Sequence, residues 1–416
     1  MQKTKTYRQI ALLGLLTVLL LTAACTRYNF DSEEEECYLD IYVYPPDRPV
    51  VTRADLDYTK ERETEGSVNT LQIWVFKSTT GELLGYLEPD MPFNYDKFRM
   101  SVSPTIVNGN DRSVDVYVLA NVTARTCGHT FNRQTTRQQL DAATISGTHF
   151  GVGTLGSNPA TLTQEVPLGG LPMSGVLKNA PVVGSYPALR ISNGIDDEMA
   201  KVKLARVVSK LRIVLCRVEN DDNNPAAQLH SIDGIQIDGG QIPTHEYLML
   251  DEPFNNSLNP SEPLAASRIR IQDTYESAPI SFGAVAVESI PVVDDPLDYL
   301  YNSTKFASLE AYETKIIEWS HPVSERPATL LDLGVTYLRE SDKRLTGAIT
   351  YKTEDNLETP KIATFQMDRA GDFTRDHSWI VYAFFSGGRL QVFNVVQVGI
   401  KTWTVGNTYE REFYNW

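Results

Sequence analysis

Two short segments of the sequence have residue types and spacing suited to covalent chemistry, and in both the chain is the substrate. The first is Leu21-Thr22-Ala23-Ala24-Cys25, which reads as a bacterial lipobox: small residues that a signal peptidase can clear, then a thiol placed to take a thioether-linked diacylglycerol. Lys3, Lys5 and Arg8 supply the basic end of an export signal, residues 10–21 its apolar stretch, and Thr22, Ala23 and Ala24 its cleavage region. The apolar stretch is too short to span a hydrocarbon core of ~30 Å. Acyl chains on Cys25 would anchor instead, at roughly 0.8 kcal/mol per buried CH₂. Residues 1–24 are therefore expected to be a lipoprotein signal peptide. The second segment is Val51-Thr52-Arg53-Ala54-Asp55, an accessible arginine followed by a small residue in a polar, proline-punctuated stretch. Proteases cut in such places.

Chemistry performed by the chain itself finds no support. Gly151-Val152-Gly153-Thr154-Leu155-Gly156 matches GxGxxG, but Ser157-Asn158-Pro159 follows where a dinucleotide site needs a helix facing pyrophosphate. The histidines, at 129, 149, 230, 245, 321 and 377, form no HExxH pair and no close ligand spacing. Asp221-Asp222-Asn223-Asn224 lacks the glycine and distal glutamate of a calcium loop. No GxSxG elbow occurs, and nothing selects a pair of acid/base carboxylates. The expectation is a protein that is not an enzyme and carries no cofactor and no metal.

The chain has 416 residues and a formal charge of −15, which becomes −18 once Lys3, Lys5 and Arg8 leave with the signal. That balance excludes nucleic acid as a partner, since no phosphate counterions would be released. With Cys25 lipidated, Cys37, Cys127 and Cys216 stand far apart in sequence, allowing one disulfide with one free thiol, or three isolated buried thiols.

The elements that would position these segments are mostly strands. After the acidic run Glu33-Glu34-Glu35-Glu36, which reads as a solvated tether, Tyr38, Leu39, Ile41, Tyr42, Val43 and Tyr44 make a strand stopped by Pro45-Pro46. Residues 71–76 and 83–87 read as a hairpin around Thr79-Thr80-Gly81-Glu82, and 114–120 as a half-buried strand. Gly, Pro and Ser crowd 151–187, the candidate for long loops near a domain boundary. Residues 202–215 read as one or two strands. Further strands are expected over 232–237, 279–293, 330–338, 345–351, 378–385 and 390–398, and short helices over 135–145 and 302–319. The fold class is all-β: two tandem β-sandwich domains of transthyretin-like or Greek-key type with minor helices. The boundaries are 25–53 for tether, first strand and cleavable propeptide, 54–200 for the first sandwich, and 201–416 for the second.

Taken in order, these features resemble the fimbrillin superfamily of Bacteroidales bacteria, the subunits of protease-assembled (type V) fimbriae. The resemblance rests on the lipobox, on Thr52-Arg53-Ala54, and on Val68-Asn69-Thr70-Leu71-Gln72-Ile73-Trp74-Val75-Phe76 with its Gly81 turn. It extends to Leu171-Pro172-Met173-Ser174-Gly175, Leu204-Ala205-Arg206-Val207-Val208-Ser209-Lys210-Leu211 and Arg375-Asp376-His377-Ser378-Trp379. The acidic run after Cys25 is similar to the tether signal that sends lipoproteins of these bacteria to the cell surface.

The resemblance implies a fimbrial shaft or tip subunit, exported to the surface of the outer membrane on diacylglyceryl-Cys25. An arginine-specific protease would cut between Arg53 and Ala54, and the strand Cys37 to Tyr44 would be displaced by a strand from another fimbrial subunit, self or related, through β-strand addition. The candidate donor is 404–416, with Tyr409, Phe413, Tyr414 and Trp416; the same segment equally reads as the last strand of its own domain. A host or bacterial surface receptor would be the adhesion partner. Two other readings fit the same residues. One is an anchor subunit that keeps its lipid, to which Cys37 just before the first strand is similar. The other is a surface glycan-binding lipoprotein with exposed Trp and Tyr platforms.

Overall fold

The computed structural model describes residues 37–44, 66–90, 97–107, 112–146, 169–192, 200–219, 223–250, 274–301, 304–306, 309–322, 327–366 and 373–399. Its strands are β1 (Cys37–Tyr44), β2 (Leu71–Lys77), β3 (Leu83–Leu87), β4 (Lys97–Val102), β5 (Ser113–Ala120), β6 (Thr144–Ser146), β7 (Met173–Ser185), β8 (Ala188–Ile191), β9 (Lys201–Lys203) and β10 (Ala205–Arg206) in the first half. The second half has β11 (Val208–Val218), β12 (Leu229–Ile237), β13 (His245–Tyr247), β14 (Ile280–Ser281), β15 (Val292–Val293), β16 (Leu331–Arg339), β17 (Thr346–Thr353), β18 (Asn356–Gln366), β19 (His377–Ser386) and β20 (Arg389–Gly399). Short helices α1 (Ala124–Cys127), α2 (Arg137–Ala142) and α3 (Leu309–Ser320) complete the description.

In the first half the order is β3-β2-β5-β7-β8-β1-β4, with β10 added to β7 and β9 to β1. The sheet doubles over along β7, whose first part pairs with β5 and whose last residues pair with β8. Side chains from both arms, Ile73, Val75, Val116 and Val118 on one and Leu39, Ile41, Met100 and Val202 on the other, then meet in one core. The turn in β7 is held where Asn179 adopts φ 52° and gives its backbone N–H to Asp115 Oδ1 at 2.9 Å. Asp115 also takes Ser78 Oγ at 2.7 Å and Arg137 at 2.8 Å. β2 is buried on both faces, because Trp74 and Phe76 enter a second core with Leu140, Val207, Leu248 and Tyr337. This explains why its sequence, LQIWVFK, is an apolar run and not an alternation.

The second half is a three-layer stack. A five-stranded sheet centred on β11, with β19 on one side and β16 and β15 on the other, packs on the four-stranded sheet β14-β12-β17-β18. Its other face carries α3, with Tyr312 and Ile316 against Val214, Ile380 and Tyr382. The two halves are joined by the β6–β13 ladder and by a buried ion pair of 2.8 Å between Arg206 and Asp376. Beside that junction the Arg375 guanidinium, 1% exposed, reaches Glu340 Oε1 at 2.6 Å, Glu246 Oε1 at 2.9 Å and the Leu248 and Tyr247 carbonyls at 3.0 and 2.8 Å. Burial works against the Glu246 carboxylate and raises its pKa, with Arg375 opposing.

The all-β class, the β2–β3 hairpin, the helix within 135–145 and the helix α3 overlapping 302–319 agree with the sequence reading. Four expectations need correction, the first being the half-buried strand at 114–120: β5 is buried on both faces from Val114 to Ala120. The loop expected through 187 gives way from Met173 to the long strand β7. Its glycines and proline serve packing: a Cβ on Gly175 would lie 2.6 Å from the Lys203 carbonyl, and Pro181 ends the pairing with β5. The strand expected over 279–293 reduces to β14 and β15, separated by Gly283 at φ 62° and a 3₁₀ turn at Val287–Ser289. The stretch 202–215 holds parts of three strands: β9 and β10 finish the first sheet, and β11 opens the second half. Cys37, Cys127 and Cys216 are buried thiols that take part in no disulfide. Burial pushes the Cys216 thiol up to about 12.

Candidate functional site

β1 is the first of the described strands in sequence, yet it lies inside its sheet. On one side it runs antiparallel to β4, from Cys37 opposite Val102 to Tyr42 opposite Lys97. On the other it runs parallel to β8 through Tyr38, Leu39 and Asp40, and parallel to β9 through Tyr42, Val43 and Tyr44. Tyr38 adds a backbone N–H donated to Pro187 O at 2.8 Å. β4 has no ladder partner but β1 among the described strands.

Alternation divides the strand into two faces. Cys37, Leu39, Ile41 and Val43 point inward and are at most 3% exposed, against Phe98, Met100, Val102, Leu189 and Val202. Burying Leu39, Ile41 and Val43 is worth about 1.5–3 kcal/mol each, or on the order of 5–9 kcal/mol together. Since the whole stability of a folded domain is about 5–15 kcal/mol, an empty slot at this position would not persist. Tyr38, Asp40 and Tyr42 face outward and are half-buried.

Asp40 accepts from Arg99 Nε at 2.8 Å and Nη2 at 3.0 Å, and from Lys97 Nζ at 2.8 Å. Desolvation alone would raise its pKa; the hydrogen bonds from Arg99 and Lys97 outweigh it and hold the carboxyl below its ordinary 3.8. A carboxyl depressed on folding contributes stability in full above its unfolded value and loses it as pH falls through the folded one. We expect wild type to melt about 2–4 °C above Asp40→Asn at pH 6, with the gap narrowing as pH falls below 3.8 in differential scanning calorimetry. A gap unchanged by acidification would contradict the assignment.

The sequence-predicted residues divide cleanly. Tyr38, Leu39, Ile41, Tyr42, Val43 and Tyr44 all lie on β1. Cys25, Arg53, Ala54, Tyr409, Phe413, Tyr414 and Trp416 lie outside the described residues, as does the GxGxxG segment at 151–156. Lys97, Arg99 and Asp40 escaped the sequence reading because β4 was not recognised, although its alternation of exposed and buried residues over KFRMSV was the available signal. The glycan-binding reading needs exposed aromatic platforms, but Trp74 and Trp379 are buried, and Trp319 is half-buried edge-on to Tyr299 at 5.0 Å; Trp403 lies outside the described residues. Among the described residues no group of three or more His, Cys, Asp and Glu side chains converges as a metal site would require. No helix described there is long and apolar enough to cross a membrane.

No family model and no curated protein matches the chain. Solved structures do. A Parabacteroides distasonis protein described as a candidate cell adhesion protein aligns at 15% identity and TM-score 0.47, over 88% of this chain and 98% of that one. The tip fimbrial protein of Porphyromonas gingivalis, truncated at its C-terminus, aligns at 13% identity and TM-score 0.42, over 88% and 99%. A fimbrilin of Porphyromonas gingivalis aligns at 9% identity and TM-score 0.43, over 86% and 96%.

Proposed function

We propose that this chain is a structural subunit of a surface fimbrium, of the fimbrillin superfamily. It is exported as a lipoprotein on Cys25, cleaved after Arg53 and joined to its neighbours by β-strand exchange at the β1 slot. The observation that carries the reading is the position of β1. It is enclosed by ladders on both sides, and it continues into residues 45–65, which contain the Arg53-Ala54 junction. Cutting there would leave the strand held by non-covalent contacts alone and open to replacement by another strand. The lipid at Cys25 would leave with it, so the anchor would be temporary.

Incubating the purified full-length precursor with an arginine-specific protease tests this. A fragment ending at Arg53 should be released and oligomers should appear by size-exclusion chromatography. A stable monomer after complete cleavage would overturn the exchange mechanism. An acylated Cys25 persisting on the protein isolated from fimbriae would favour the anchor role.

A further inference from the structure

The faces of the β1 slot differ in character, and the charged residues that β4, β8 and β9 bring to the outer one are all basic. Along the flanking strands the residues on that face include Lys97 and Arg99 of β4, Arg190 of β8, and Lys201 and Lys203 of β9. Asp40 lies in register between Arg99 on one side and Arg190 on the other. Tyr42 lies between Lys97 and Lys201. Asp40 is the sole acidic residue of β1, β4, β8 and β9. Removing β1 removes the one carboxylate that these four strands carry and leaves Lys97, Arg99 and Arg190 on the two strands beside Asp40, and like charges facing one another across a sheet are unfavourable. The inner face is apolar throughout and rejects an unpaired charge.

We propose that the slot selects its occupant by charge. It takes a strand of a different subunit, with apolar residues at alternate inward positions and a carboxylate outward between Arg99 and Arg190, and it does not take residues 404–416 of a second copy. This rests on the strand-exchange reading. Residues 404–416 fail on the inner row: one face would place Arg411 and Asn415 there, and the other Glu410 and Glu412. The required pattern reads apolar, any, apolar, acidic, apolar, any, apolar, which is the pattern of Cys37 to Val43.

The test uses the full-length protein cut in the 45–65 segment and challenged with labelled peptides. The peptide of residues 37–44 should enter the slot. Its Asp40→Asn form should bind about fivefold more weakly, and its Asp40→Lys form more weakly still. In a Lys97→Glu/Arg99→Glu protein that melts as a folded species, the preference should reverse towards the Asp40→Lys peptide. The 404–416 peptide should compete poorly with all acidic forms. Equal uptake whatever the charge at position 40, or uptake of 404–416 within threefold of 37–44, overturns the proposal while leaving strand exchange intact. No uptake of any peptide by the cut protein overturns strand exchange, and the proposal falls with it. The peptide arm uses one unaltered protein, so a misfolded variant cannot decide the outcome.

Discussion

Arg375→Ala should destabilise the protein by about 3–5 kcal/mol, the cost of leaving buried charges without their partner. In a body of this size that corresponds to a fall in Tm of about 10 °C. The guanidinium hydrogen-bonds Glu340 and two backbone carbonyls and forms an ion pair with Glu246 Oε1 at 2.9 Å, and all three charged side chains are at most 5% exposed. Alanine would leave Glu246 and Glu340 facing each other in a site where burial already raises the Glu246 pKa. The effect should concentrate at the junction, because Glu246 belongs to the β6–β13 ladder. Replacing the triad together, as Arg375→Met with Glu246→Gln and Glu340→Gln, should recover a large part of the loss, since it removes the stranded charges. A single mutant within 1 kcal/mol of wild type by urea denaturation would refute this account.

Ile41→Ala should cost about 2–5 kcal/mol, because it empties a fully buried position in the middle of the β1 row. In the intact chain this lowers Tm. In the cut protein it acts on the equilibrium that retains the strand, where even 2 kcal/mol corresponds to about thirtyfold. The N-terminal fragment should then leave correspondingly faster, and oligomers should form sooner after cutting. Tyr42→Ala is the control: its side chain faces outward, half-buried, with Lys97 Nζ 5.8 Å from the ring, so a loss of about 1 kcal/mol or less is expected. Equal release rates for the two variants, measured by quenched-flow mass spectrometry, would mean that the inward row does not hold the strand.

Some of this was visible in the residues alone and some was not, for physical reasons. β1 and β2 were legible because burial writes itself into sequence, as alternation in CYLDIYVY and as an unbroken apolar run in LQIWVFK. β7 was hidden because Gly175, Pro181 and Gly184 look like loop residues. Their role is close approach and a bend, which depends on partners far away in sequence. β18 was missed for the opposite reason: NLETPKIATFQ is largely exposed and lies at a sheet edge, where a proline is tolerated and no apolar pattern is needed. The Arg375 site could not be read at all. Glu340 is 35 residues before Arg375 and Leu248 is 127 before it, and only the fold brings them together. The role of Asp40 was likewise invisible without β4 and β8 beside it.

The flanking of β1 on both sides has a mechanical meaning. Six residue pairs join it to β4, three to β8 and three to β9. A pull along the strand axis loads these ladders in shear, so they must fail together, whereas a pull across the axis would peel them one at a time. Any strand seated there inherits that arrangement, and its lifetime under tension is set by the barrier to breaking the whole set and not by equilibrium affinity. On the strand-exchange proposal, this arrangement would suit a joint that must hold while being dragged lengthwise.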